Sequence, residues 1–172
     1  DPSSKTTHLY VAEAHQVARY PYDSKTGKVT SSSGQNVANF SADGRHTTRT
    51  IAFGPNLRKN SLVTGDLPIG FKGFLSKIKL YISVGSSCDV CVESSWKRGS
   101  ILESDPDGSY TAEFAGGLRN AVFFTFHPVS GQIWATEMGR DNLGDNLPPD
   151  EINIVESEKK YGWPFCYGKQ IK

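Results

Sequence analysis

Short runs of aromatic and β-branched residues alternate with turn residues along most of this chain. The clearest unit is Phe123-Phe124-Thr125-Phe126, then His127-Pro128-Val129-Ser130-Gly131-Gln132, then Ile133-Trp134-Ala135-Thr136. It reads as strand, turn, strand: Pro and Gly punctuate the turn while stiff side chains fill the strands. Thr50-Ile51-Ala52-Phe53-Gly54-Pro55 looks like a second copy of the first strand. Leu80-Tyr81-Ile82-Ser83-Val84 and Leu9-Tyr10-Val11-Ala12 look like copies of the second strand. A further hairpin also recurs. Val17–Asp23 runs into a Thr26-Gly27 turn, and Ile101–Ser104 runs into Asp105-Pro106-Asp107-Gly108. Two hairpins make four short strands per roughly fifty residues, which predicts an all-β protein built as a β-propeller of four-stranded antiparallel blades.

Spacing sharpens this reading. Tyr81 and Trp134 lie 53 residues apart, but Tyr10 and Tyr81 lie 71 apart. Some 20 residues in excess fall between Pro55 and Lys79. We read 56–78 as an irregular surface insert, or as a segment foreign to the fold, within one partial propeller domain over 1–172. A closed propeller needs roughly four to eight blades. This length supplies about three to four, so the ring is expected to be completed by further chain or by self-association.

Charge is nearly balanced, 19 Lys and Arg against 18 Asp and Glu. Without a basic surface there is no footprint for nucleic acid. No apolar run approaches the length of a membrane span. The chain opens Asp1-Pro2-Ser3-Ser4, which fits either a removed leader or a start inside a domain. Asn39-Phe40-Ser41 is a glycosylation sequon and gives slight support to secretion. Three cysteines, Cys88, Cys91 and Cys166, leave one without an internal partner. A lone Cys-x-x-Cys outside a βαβ context favours a structural disulfide, with or without Cys166, over a redox-active pair or a zinc site.

Three constellations can carry chemistry, each with a plainer reading beside it. His46 directly precedes a strand and is either a turn histidine or a general base for a hydroxyl proton. Arg119-Asn120 close a strand and are either a polar turn or a donor cluster for a carboxylate or quinone oxygen. Asp141, Asp145, Asp150 and Glu151, with Gly139 and Gly144, form either a solvated loop or an oxygen-rich shelf for Ca²⁺.

Taken in order, several segments resemble the glucose/sorbosone dehydrogenase family, soluble six-bladed propellers that use pyrroloquinoline quinone (PQQ). The resemblance is carried by Leu9–Ala12 with Val17–Tyr22, by His46-Thr47-Thr48-Arg49-Thr50-Ile51-Ala52-Phe53, by Tyr81–Cys88, by Gly117-Leu118-Arg119-Asn120-Ala121-Val122, and by the run from Trp134 to Gly168. It implies oxidation of an aldose or related sugar at C1, with a histidine taking the hydroxyl proton, PQQ accepting hydride and Ca²⁺ polarising the quinone. By the same resemblance His46 is the base, Arg119 and Asn120 contact the cofactor, and Gly139 and Arg140 offer backbone carbonyls to its Ca²⁺. Glu151 and Tyr161 match a second, structural calcium site. Secreted or periplasmic placement is implied too, with the electron acceptor unassigned. Met138 departs from the family pattern, standing where relatives often carry a polar residue. The family's remaining blades supply basic residues for the PQQ carboxylates, so this segment alone is expected to bind PQQ weakly and to be inactive. A non-catalytic propeller module that binds carbohydrate or a protein partner is the alternative.

Overall fold

The computed structural model describes residues 6–58 and 78–168. It is all-β: no helix occurs among these residues. Eleven strands follow in chain order: β1 (His8–Ala12), β2 (Gln16–Asp23), β3 (Lys28–Val29), β4 (Gln35–Asn39), β5 (Ile51–Pro55), β6 (Ile78–Val84), β7 (Ser100–Ser104), β8 (Thr111–Gly116), β9 (Phe124–Phe126), β10 (Ile133–Glu137) and β11 (Glu151–Val155).

They form three antiparallel sheets. β2 pairs with β1, β3 and β4; β5 to β8 make an uninterrupted four-stranded meander; β9, β10 and β11 make a three-stranded one. The predicted strand–turn–strand units are real pairs, with Phe53 opposite Leu80 and Phe126 opposite Ile133. Asp105–Gly108 is the hairpin turn expected: the Gly108 N–H donates to the Asp105 carbonyl at 2.9 Å, and Gly108 has φ +79°.

The middle sheet is buried on both faces. Leu80, Ile82, Val84 and Leu102 pack with Val17, Val37 and Ala38 of the first sheet and with Phe40 just beyond β4. Tyr81, Ile101 and Phe114 pack with Phe124, Ile133, Ala135 and Val155 on the other side. Alternate side chains point to opposite faces, so a strand covered twice must be apolar almost throughout. Leu80, Tyr81, Ile82 and Val84 are accordingly all fully buried. β10 has only one covered face: Ile133, Ala135 and Glu137 are buried, while Trp134 and Thr136 are exposed.

One expectation is corrected. The polar loop ends before Glu151 and not at it: Glu151–Val155 is a strand paired with β10 along its length. Its Ile152 and Ile154 face outward and its flanks are Pro- and Asp-rich, which masked the alternation. The structural disulfide, whose partners the sequence leaves open, joins Cys88 to Cys91, and Cys166 is free. Most of the insert at 56–78 lies outside the described residues. Its described start is fixed: Leu57 N–H donates to the Tyr81 hydroxyl at 3.1 Å, and Arg58 Nε to Glu103 Oε1 at 2.8 Å.

In a meander, connections alternate between the two ends of a sheet. The β4–β5, β6–β7, β8–β9 and β10–β11 connections therefore gather at one end. They carry His46, the Cys88–Cys91 pair, Arg119-Asn120 and Gly139–Asp150 respectively.

Candidate functional site

At that end, Gly44–Thr48, Arg119, Asn120, Met138 and Asp141 line an open cleft of about 550 Å³. Three sequence-predicted residues, His46, Arg119 and Asn120, thus meet in one place although 73 positions separate the first from the second.

His46 sits at φ +54°, in the left-handed region that side chains rarely adopt. Two guanidinium groups hold the surrounding loop. Arg49 Nη1 donates to the His46 carbonyl at 2.8 Å, and Arg98 donates to the carbonyls of Ser41, Asp43, Arg45 and Gly85. His46 Nδ1 lies 3.0 Å from the Ser86 carbonyl and 2.9 Å from Ser86 Oγ. The Ser86 hydroxyl gives its own hydrogen to the Cys88 carbonyl at 2.7 Å. Both groups therefore accept from Nδ1, which assigns the proton there and leaves Nε2 as the basic nitrogen. Burial, and then the charges of Arg119 and Arg45, hold the His46 pKa below its usual 6.5. The ring is neutral at neutral pH.

Arg119 is 2 % exposed and heavily engaged with protein groups. Its Nε donates to the Asp89 carbonyl at 3.0 Å, Nη2 to Asp89 Oδ1 at 2.7 Å, and Nη1 to the carbonyls of Met138 and Gly139 at 3.2 and 2.7 Å. Its remaining reach toward a ligand in the cleft is its charge. Asn120 differs. Its backbone N–H donates to Glu137 Oε1 at 3.0 Å, but its Nδ2 meets only the Met138 sulfur at 3.8 Å. A thioether is a weak acceptor, so this amide retains donor capacity for an oxygen ligand.

The four residues read as calcium positions, Gly139, Arg140, Glu151 and Tyr161, line a second, smaller cavity of about 70 Å³ that shares Arg119 and Met138 with the cleft. The Gly139 carbonyl already accepts from Arg119, and Gly139 N–H donates to Asp150 Oδ1 at 3.0 Å. Glu151 Oε1 accepts from Gly168 N–H at 2.7 Å and Oε2 from Asn153 at 3.2 Å. The Tyr161 hydroxyl donates to the Ile154 carbonyl at 2.7 Å and accepts from Glu156 N–H at 2.8 Å. The loop acids do not gather: Asp141 pairs with Arg45 at 2.5 Å while Asp150 holds Gly139. Among the described residues, the group of three acidic, His or Cys side chains close enough to share a cation is Cys88, Cys91 and Glu93. Its sulfurs are joined in the disulfide, which leaves Glu93 as its one carboxylate donor.

Three functional neighbours escaped the sequence reading: Ser86, Asp89 and Glu137. Glu137 is 9 % exposed and its Oε2 has no partner. Burial raises its pKa to about 7, more than the N–H groups of Asn120 and Arg119 lower it. An acid on the inward face of an otherwise apolar β10 was the available signal.

A family profile described as TrAA12-like matches residues 2–170. An uncharacterized protein of Borreliella burgdorferi is 39 % identical over 95 residues, 55 % of this chain and 25 % of that protein. An uncharacterized protein of Synechocystis sp. is 29 % identical over 79 residues, 38 % of this chain and 18 % of that protein. The chain thus spans a quarter or less of these curated relatives. Among solved structures, the calcium structure of a Trichoderma reesei Carbohydrate-Active Enzymes Family AA12 protein superposes with a TM-score of 0.70 at 19 % identity, covering 91 % of this chain and 41 % of that one. The holo form of the pyranose dehydrogenase PQQ domain from Coprinopsis cinerea gives a TM-score of 0.65 at 19 % identity, covering 91 % and 40 %. At such identity the likeness is one of fold.

Proposed function

Since the chain belongs to the TrAA12-like family, we propose that it forms the base-bearing wall of a PQQ-dependent sugar oxidoreductase with a propeller fold. The observation that carries this reading is the cleft itself. A neutral His46 with an open Nε2 stands beside the partly engaged Asn120 amide and the Arg119 charge. This donor set fits a polyoxygenated ligand, a quinone or a sugar, and does not resemble an apolar pocket.

Bound there, PQQ would supply a two-electron acceptor and Ca²⁺ a Lewis acid on its carbonyl. Arg119 and Asn120 would face the quinone, and the Gly139 and Arg140 carbonyls would face the ion. His46 Nε2 removes the proton from the C1 hydroxyl of the sugar. Nδ1–H, held by Ser86, keeps the ring oriented as positive charge develops on it. Arg119 and Arg45 favour the neutral ring before reaction, so the base is ready at neutral pH. The Cys88–Cys91 disulfide suits an oxidising compartment, in line with a secreted or periplasmic protein. Among the described residues no helix is long and apolar enough to cross a membrane.

The test is aldose-dependent dye reduction by the full-length protein supplied with PQQ and Ca²⁺. Its kcat/KM should rise with pH through a pKa below 6.5, the usual value that His46 falls short of. His46→Ala should lose about 10²–10⁴-fold, the usual contribution of a general base. Activity unchanged in His46→Ala would overturn the assignment.

A further inference from the structure

We infer that Asp89, held between Cys88 and Cys91, is the positioning residue that presents Arg119 and the Gly139–Asp141 segment to the cleft. The Cys88–Cys91 disulfide is what keeps it there. This deepens the function proposed above and rests on it only for the identity of the ligand.

The geometry is unusually concentrated. One residue accepts from three separate parts of the chain. Its carbonyl takes Arg119 Nε at 3.0 Å and Trp163 Nε1 at 3.3 Å. Its Oδ1 takes Arg119 Nη2 at 2.7 Å and the Asp141 N–H at 2.9 Å. The Arg119–Asp89 contact is thus two-pronged, one prong to backbone and one to side chain, which fixes the guanidinium plane as well as its place. The same guanidinium then reaches the Met138 and Gly139 carbonyls. Asp89 is therefore the anchor from which both the arginine and the proposed cation-facing carbonyls are set.

No sheet holds Asp89 itself. It lies in the β6–β7 connection, outside any strand. Two devices confine it. The disulfide closes the loop directly around it, with the Cys88 and Cys91 Cα atoms 6.1 Å apart. Glu93 tightens the same turn by accepting from Ser87 N–H at 2.5 Å and from Ser87 Oγ at 2.8 Å. The Cys88 carbonyl also receives the Ser86 hydroxyl that orients His46. The disulfide loop thus touches the supports of both the base and the arginine.

Opening the bridge is a balanced step. A dithiol reductant passes two electrons and two protons to the sulfurs, giving two thiols, and becomes a cyclic disulfide. The Asp89 backbone then regains freedom, and the four acceptor contacts it makes lose their common anchor.

The experiment uses the full-length protein in four forms: oxidised wild type, dithiothreitol-reduced wild type, Asp89→Ala and Asp89→Asn. Cys166 is alkylated beforehand in each. One readout needs no cofactor: the rate at which phenylglyoxal modifies Arg119, followed by peptide mass. The other is the Kd for PQQ in the presence of Ca²⁺. Reduction and Asp89→Ala should each speed Arg119 modification at least tenfold and weaken PQQ binding at least tenfold, with the melting transition retained. Asp89→Asn keeps an acceptor for Asp141 N–H but loses the charge, and should fall between. Should Asp89→Ala not fold, the reduced and Asn forms carry the same comparison. Arg119 as protected in the reduced and variant forms as in oxidised wild type would overturn the inference. Faster modification with no PQQ binding even by wild type would uphold the positioning role and overturn the cofactor reading instead.

Discussion

Gly85 is the residue whose side-chain absence the cleft depends on most directly, and replacing it with alanine tests the site's geometry. It follows the last residue of β6, and its backbone is not in the left-handed region, so alanine introduces no strain of its own there. A Cβ built at Gly85 would stand 2.6 Å from the His46 Cβ and 2.7 Å from Asn120 Oδ1. Ordinary contact begins near 3.4 Å, so the two functional side chains must recede by about 0.8 and 0.7 Å. His46 cannot do so freely. The His46 ring is held at Nδ1 by Ser86 and its carbonyl by Arg49. The Asn120 backbone is fixed through its N–H to Glu137 and its carbonyl to the N–H groups of Val122 and Met138, so its Oδ1 recedes by turning the side-chain amide away from the place it holds in the cleft. Overpacking of this kind costs roughly 1–3 kcal/mol of stability. A displacement near 1 Å at reacting groups lowers the rate by as much as about 10²-fold. Gly85→Ala should therefore stay folded, melt somewhat lower, and lose kcat for aldose oxidation by one to two orders of magnitude. The assay pairs steady-state dye reduction with a thermal melt. A folded Gly85→Ala protein with kcat within about twofold of wild type would refute the placement of His46 and Asn120 against Gly85.

Two further outcomes are expected. Glu137 has a folded pKa of about 7 against 4.5 for a free glutamate. The unfolded chain thus releases its proton first, and the group makes folding less favourable as pH rises from 4.5 to about 7, by about 3 kcal/mol in all, with no further change above. Urea midpoints from pH 4.5 to 8 in calcium-free buffer should show that slope in wild type and lose it in Glu137→Gln; equal slopes would sink the claim. Tyr81 is fully buried, donating its hydroxyl to the Pro55 carbonyl at 2.7 Å and accepting from Leu57 N–H. Tyr81→Phe keeps the ring contacts with Phe114 and Phe126 but removes the hydroxyl that serves the Pro55 carbonyl and the Leu57 N–H, so it should destabilise by roughly 2 kcal/mol in chemical denaturation, with no change reading against the burial.

The strands legible in the sequence are those whose packing is dense. Leu80–Val84 and Ile101–Ser104 are apolar or small, apart from the Arg58-paired Glu103, because both faces are covered, and Ile133–Glu137 alternates because one is. β4 went unread: in Gln35–Asn39 only Val37 and Ala38 are buried, too few to set a period. His46, Arg119 and Asn120 could be found because each sits in a local motif. Asp89 and Ser86 could not, since their partners across the site lie 30 to 74 and 40 positions away respectively, a separation that no local residue pattern records. The choice of Cys91 over Cys166 as partner for Cys88 likewise follows from where the β6–β7 connection folds, which composition does not determine.

The gathering of every second connection at one end gives the molecule two poles with different freedoms. β5 begins beside His46 and runs away from it, so Arg58 and Ile78, where the long β5–β6 connection attaches, belong to the opposite pole. Added length there need not disturb Ser86, Asp89 or Asn120. A reporter domain or affinity tag spliced between those two attachment points would leave the cleft's walls in register, whereas a single residue added between Gly44 and Thr50 would shift the left-handed position from His46 onto a neighbour. The chain thus carries its own separation between a place where length can vary and a place where it cannot.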